Sequence, residues 1–194
     1  MPALRAVVLL LLLCWKAAAA QTAFHADSVN LHFQHLINTY RKTNGKEPLR
    51  IHPGLKEFAD AHAAWLAEKG QVAHSDIALG VSEKDWLTAV QNRIPFPIRY
   101  LGENVGMITL FEKLPPGTRI IRKENQPEEI SNNSNEMAEK GPTNLNLARA
   151  AFLLWKYSPP HNALMLSPEI HAFYLAYNRK NKECYFELVA VGVK

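Results

Sequence analysis

Cysteine is almost missing from this chain: there are two in 194 residues, and Cys14 lies inside an N-terminal apolar run. A chain left with Cys184 alone cannot be stapled by internal disulfides, so its core must hold it together. Long apolar runs are also lacking. Val7 to Trp15 extend for about nine residues before Lys16 interrupts them, well short of the roughly 20 needed to cross a bilayer. Charge excess is small: 22 basic against 18 acidic side chains give a net of +4. No internal repeat, glycine-rich phosphate loop or Gly-x-Ser-x-Gly elbow is present, which removes the common nucleotide-binding and serine-hydrolase designs.

The N-terminus reads as an export signal. Arg5 precedes the apolar run, and Ala18-Ala19-Ala20 supplies the small-residue pattern at which signal peptidase cleaves. Residues 1–20 are therefore expected to leave, taking Arg5, Lys16 and Cys14 with them. The net charge then falls to +2, which argues against nucleic acid or an anionic membrane as a partner. Residues 21–194 suit one domain, secreted or periplasmic, with no transmembrane segment in the mature chain. An exported domain without disulfides points to a bacterial source.

Helices come first and strands last. Helical spacing of Leu31, Phe33, Leu36, Ile37 and Tyr40 predicts a helix capped by Asp27 or Ser28 and ended by Asn44-Gly45. Pro48 to His52 reads as extended, and Pro53 suits a first helical position. A second helix carries Leu55, Phe58, Ala59, His62, Trp65 and Leu66 on one face and stops at Gly70. On such a face His62 reads as a satisfied core histidine. Ser82 opens a short helix with Trp86, Leu87 and Val90, after which Pro95 and Pro97 force extended backbone. Residues 107–146 read as a polar, partly mobile insertion, rich in Asn, Glu and Pro. Its Asn132-Asn133-Ser134 matches the glycosylation pattern, for which chance is the plainer reading in so Asn-rich a segment.

Asn146 is predicted to cap a further helix through Leu147, Ala150, Ala151, Leu154 and Trp155, which Ser158-Pro159-Pro160 must end. Residues 170–177 and 184–193 then read as a hairpin. Alternation places Cys184, Phe186, Leu188 and Ala190 on one face, making Cys184 a buried small hydrophobe. Helices around a short antiparallel sheet make this an α+β domain.

Three distant segments put an imidazole or carboxylate beside a turn-forming residue: Ala73-His74-Ser75, Gly102-Glu103-Asn104-Val105-Gly106, and Trp155-Lys156-Tyr157-Ser158-Pro159-Pro160-His161-Asn162. Together with Ala61-His62-Ala63-Ala64-Trp65-Leu66-Ala67-Glu68-Lys69-Gly70, their order and spacing resemble the CAP superfamily. That is the group of cysteine-rich secretory proteins, antigen 5 and pathogenesis-related 1 proteins, also called SCP-like, and the resemblance is to its bacterial branch. It spans about residues 29–193.

The resemblance implies an α-β-α sandwich with a central antiparallel sheet flanked by helices. It also implies a cleft gathering two histidines and two glutamates, sometimes with a divalent metal. His74, Glu103 and His161 match three of the four; the remaining carboxylate position, three residues after Trp155, is Ser158. Two imidazoles and one carboxylate suffice to hold zinc with an open position. Glu169 and His171 are near enough in sequence to be weighed as a fourth member, though Glu169 follows Pro168 in a surface turn.

The competing reading makes the three residues a structural hydrogen-bond knot, with Glu103 accepting N–H bonds in the turn that Gly102 and Gly106 shape. Two functional classes follow. One is a non-catalytic exported protein whose cleft binds a divalent metal, a small apolar or lipid-like ligand, or an extracellular protein; sterol and lipid binding occur in eukaryotic relatives. The other is a metal-dependent, peptidase-like hydrolase using His74, Glu103 and His161. The nucleophile inventory favours the first. Ser75 beside His74 lacks a third group, and a hydrolase would have to commit its one obvious carboxylate to a single role.

Overall fold

A computed structural model describes residues 24–75, 82–110 and 143–193. The expected signal sequence, the glycosylation pattern and most of the polar segment lie outside the described residues. The chain opens with helix α1 (Ala26–Thr43) and the two-residue strand β1 (Arg50–Ile51). A 3-10 turn (Pro53–Leu55) leads into helix α2 (Lys56–Lys69), and helix α3 (Glu83–Gln91) precedes strand β2 (Ile98–Thr109). Helices α4 (Asn144–Lys156) and α5 (Pro159–Leu166) are followed by strands β3 (Ala172–Lys180) and β4 (Glu183–Val193).

The strands form one sheet in the order β1-β3-β4-β2. Pairing of β3 with β4 and of β4 with β2 is antiparallel, as expected, while the short β1 joins parallel to β3. Beyond the end of β1, the open backbone of β3 is met by a side chain. Asn30 donates to Leu175 O at 2.8 Å and accepts from Leu175 N at 3.0 Å, standing in for a strand partner.

Helices cover both faces, so the domain is an α+β sandwich. On one face α1, α4 and α5 pack against Phe173, Leu175, Cys184, Phe186, Leu188 and Ala190, the alternation predicted for β4. On the other, Ala59 and Ala63 of α2 and Trp86 and Val90 of α3 meet Ala172, Tyr174, Ala176, Val189 and Val191. Cys184 is fully buried, and burial raises its thiol pKa to about 12, consistent with a packing role. Among the described residues no helix is long and apolar enough to cross a membrane.

Several local readings are corrected. Helix α1 starts earlier than expected, with His25 at the N-cap and no side-chain cap bond; Asp27 instead sits in the first turn, where it complements the helix dipole. The cap of α4 is Thr143, whose hydroxyl accepts from Asn146 N, rather than Asn146 itself. Ser158-Pro159-Pro160 does end α4, but the same prolines begin α5, since a residue without an N–H fits the first helical turn as readily as it breaks an interior. The hairpin loop is tighter than read, with Asn181 at φ 57 making the turn. β2 extends to Thr109 and α4 opens at Asn144, so both ends of the 107–146 segment belong to regular elements.

Candidate functional site

Gly102-Glu103-Asn104-Val105-Gly106 is strand rather than turn, and that determines where each of its side chains goes. Alternation sends Gly102, Asn104 and Gly106 toward α4 and α5, and Glu103 and Val105 toward α2. A Cβ on Gly102 would meet Leu164 of α5, and one on Gly106 would meet Leu154 of α4. The two glycines therefore permit close approach of helices to the strand; they do not shape a turn. Asn104, buried, donates to the backbone O of His161 at 3.1 Å, and Trp155 Nε1 donates to Val105 O at 3.2 Å.

On the α2 side Glu103 is held by several donors. Ser75 N donates to both of its oxygens, at 3.2 and 3.0 Å, and Ser75 Oγ donates to Oε1 at 2.5 Å. His74 Nδ1 lies 2.9 Å from Oε2, and His62 Nδ1 lies 2.8 Å from Oε1. Burial, the largest single influence, would raise the Glu103 pKa; the hydrogen bonds from His62, Glu187 and Ser75 outweigh it and hold the carboxylate at about 2.

Glu187 was not anticipated. The register pairs Val105 with Glu187, so Glu103, two residues along β2, shares its face and lies diagonal to it. Glu187 is 0% exposed, and its Oε2 is 3.0 Å from Nδ1 of His62, itself 1% exposed. Burial, then the charge of Glu103 and a hydrogen bond to it, push the Glu187 pKa well above the usual carboxylate range. The neutral acid and the ionised Glu103 thus share one interior pocket of charge. A signal for both residues is present in the sequence: a glutamate within the apolar run of β4 and a histidine on the apolar face of α2 each need a buried partner, and they find one another.

Among the described residues, the set of three metal-ligating side chains whose donor atoms lie within 4.8 Å of each other is His62, Glu103 and Glu187. This group could hold a metal ion. His62 is therefore a buried histidine, satisfied at Nδ1, but its Nε2 has no hydrogen-bond partner.

Of the three residues read from the motifs, His74 and Glu103 are bonded directly. His161 reaches the same place from the first turn of α5. All three line an open cleft of about 530 Å³ along β2, with Tyr100, Leu164 and Leu166 as apolar wall. His161 Nδ1 is buried without a partner, and its pKa is lowered by burial and then by His74. Glu169 and His171 do not line the cleft; Glu169 is exposed, and His171 Nδ1 accepts from Val193 N at 3.3 Å.

Ser75 does have further partners, since its Oγ is 2.9 Å from His62 Nδ1. No catalytic triad results. Ser75 and both carboxylates crowd the same imidazole nitrogen, whereas a triad needs the serine on one nitrogen and the acid on the other.

No protein-family model and no curated protein matches the chain in sequence. Solved structures do match in fold. An outer surface protein of Borrelia burgdorferi aligns with a TM-score of 0.55 at 12% identity, covering 87% of this chain and 94% of its own. An extracellular protein containing an SCP domain from Bacillus anthracis aligns with a TM-score of 0.50 at 13% identity, covering 86% of this chain and 41% of its own. At these identities the likeness is one of fold, and the fold is that of the SCP, or CAP, domain. The resemblance carried by the three segments thus extends to the architecture.

Proposed function

We propose that this CAP-fold chain is a bacterial exported, non-catalytic binding protein that takes its ligand in the cleft formed by His74, Glu103 and His161. The observation that carries this reading is the state of Glu103. A carboxylate held near 2 by buried donors is a weak base at neutral pH and is already saturated with hydrogen bonds, so it is poorly suited to moving a proton. It is well suited to remaining a fixed anion. A hydrolase built on this cleft would use that same group either as third metal ligand, leaving no general base, or as the base itself, for which it is too weak; Ser158 occupies the position where eukaryotic relatives often carry a second carboxylate.

Two ligand classes fit the lining. A divalent cation such as zinc would give the buried, partnerless Nδ1 of His161 a partner, provided His161 draws in toward the bonded His74–Glu103 pair. When bound, such an ion would supply a Lewis-acidic centre, and these three side chains would hold it. A small apolar or lipid-like molecule suits Tyr100, Leu164 and Leu166 in the same cleft. The leading residues 1–20 support export to the periplasm or the medium, with residues 21–194 as a single domain and an extracellular protein as a further class of partner.

The test is calorimetric titration of zinc and, separately, displacement of a fluorescent fatty-acid probe, using wild type and His161→Ala. The half-buried His161 side chain makes no hydrogen bond to the fold through Nδ1. His161→Ala should accordingly abolish cleft binding and lower Tm little. A large fall in Tm with binding retained would reassign the residue to the scaffold, and peptide or ester hydrolysis by wild type that His161→Ala loses would favour the hydrolase.

A further inference from the structure

The cleft does not account for the polar group behind it. His62, Ser75 and Glu187 are 1%, 2% and 0% exposed. They sit between α2 and the sheet, on the face where Ala59, Ala63, Val189 and Val191 form an apolar core. Scaffold alone is an expensive reason to place two carboxyl groups there, because burying a second acid beside the first gains no counter-ion for it.

We propose that His62 Nδ1, Glu103 Oε1 and Glu187 Oε2, with Ser75 Oγ as a fourth donor, form an interior binding site for a divalent first-row transition ion, separate from the cleft and sharing Glu103 with it. The inference goes beyond the cleft reading and does not depend on it.

Geometry supports the site first. A tetrahedral ion with bonds of about 2.0–2.2 Å sets neighbouring donors roughly 3.3 Å apart. The observed separations from His62 Nδ1 are 2.8 Å to Glu103, 3.0 Å to Glu187 and 2.9 Å to Ser75. These three need to widen by only a few tenths of an ångström, while the Ser75 Oγ–Glu103 Oε1 contact, at 2.5 Å, must open furthest, by roughly 0.8 Å, to admit an ion.

Hydrogen-bond capacity is the second support. Three oxygens converge on His62 Nδ1, which carries at most one proton, and the Ser75 hydroxyl proton is already given to Glu103, so the contacts at that nitrogen are not all met by hydrogen bonds. The shortfall is visible at Glu187, whose Oε1 is buried without a partner although its carboxyl group is aimed into the cluster. A cation would meet the lone pairs of His62 Nδ1, Glu103 Oε1, Glu187 Oε2 and Ser75 Oγ at once.

Charge is the third. Two carboxylates match a divalent ion, which would displace the Glu187 proton and leave the His62 proton on Nε2. One imidazole with carboxylate and hydroxyl oxygens favours zinc or manganese over calcium or magnesium, which prefer all-oxygen shells. Glu103 offers the way in. Its Oε2 faces His74, which is 50% exposed, while its Oε1 faces the interior.

The experiment titrates zinc and manganese separately into metal-stripped protein. It compares wild type with Glu187→Gln, His62→Gln and His161→Ala, and pairs this with zinc-edge X-ray absorption of the wild type. Glu187→Gln is nearly isosteric with the neutral acid, so it should fold. The interior site is expected to give binding that weakens by at least about tenfold in Glu187→Gln and His62→Gln and survives in His161→Ala, with an absorption spectrum that fits one imidazole and several oxygens. Binding lost only in His161→Ala, or a spectrum with two imidazoles and no second site, would overturn the interior site while leaving the cleft reading intact. Absence of any binding to wild type would overturn both metal sites and leave the apolar-ligand reading of the cleft. If a substituted chain fails to fold, the wild-type spectrum alone decides.

Discussion

Glu103 joins the two parts of the site: one of its oxygens meets His74 at the cleft and the other meets Ser75 and His62 in the interior. Replacing it by Gln keeps the shape but gives up the charge and sets an NH2 group against donors. Glu103→Gln should therefore destabilise the fold by about 3 kcal/mol, read by urea unfolding. The pH dependence follows from the two opposed carboxyl groups. Glu103, lowered to about 2 from 4.5, contributes stability that is fully present above 4.5 and is lost as pH falls toward 2. Glu187, raised above 4.5, contributes stability that is present below 4.5 and is lost as pH rises. Stability from the pair should peak between these two limbs. Glu187→Gln cannot ionise, so it should flatten the decline on the alkaline side and leave the acid limb in place. A series of urea midpoints across pH would show a parallel decline in both proteins if Glu187 were not the cause. At this scale the motifs singled out His74, Glu103 and His161, which the structure brings to one cleft, whereas His62, though inside the helical segment that carries the resemblance, and Glu187 were not marked by sequence as site residues. They are legible only as polar residues at apolar positions, and their partnership depends on packing of α2 on β4.

At the scale of elements, the cleft depends on how α5 is anchored. Arg41 of α1 is 1% exposed. Its Nη1 donates to Met165 O at 2.7 Å and Ser167 O at 3.0 Å, and its Nε donates to Glu47 O at 2.6 Å. One guanidinium thus ties the C-terminal end of α5, and the Ser167-Pro168 corner that lines the cleft, to α1. Lysine has the charge but not the fork. Arg41→Lys should cost about 2 kcal/mol in urea unfolding and weaken cleft binding, while an unchanged Tm would show that α5 is anchored elsewhere. The element boundaries show which sequence signals are ambiguous. Pro159-Pro160 carries equal weight as a helix end and a helix start, and only the chain geometry after Tyr157 resolves it. Gly102 and Gly106 likewise signal either a turn or a close approach. Here the register with β4 and the packing of Leu164 and Leu154 select the second.

For the whole molecule, the α+β sandwich was legible because its determinants are local: four helical segments read from spacing and caps, a hairpin of two apolar runs, and Cys184 at a core position. The parallel pairing of β1 with β3 was not, since two residues carry too little pattern to announce a strand. The proposed binding function turns on how one carboxylate is held at the meeting point of both helical layers and the sheet edge. The most direct measurement is the pH titration of the Glu103 side-chain carboxyl carbon by NMR in the wild-type protein. A titration near 2 is expected, marking a permanently ionised anchor for a ligand. A titration at 4.5 or above would contradict it, returning Glu103 as an available base and restoring the hydrolase as the better reading.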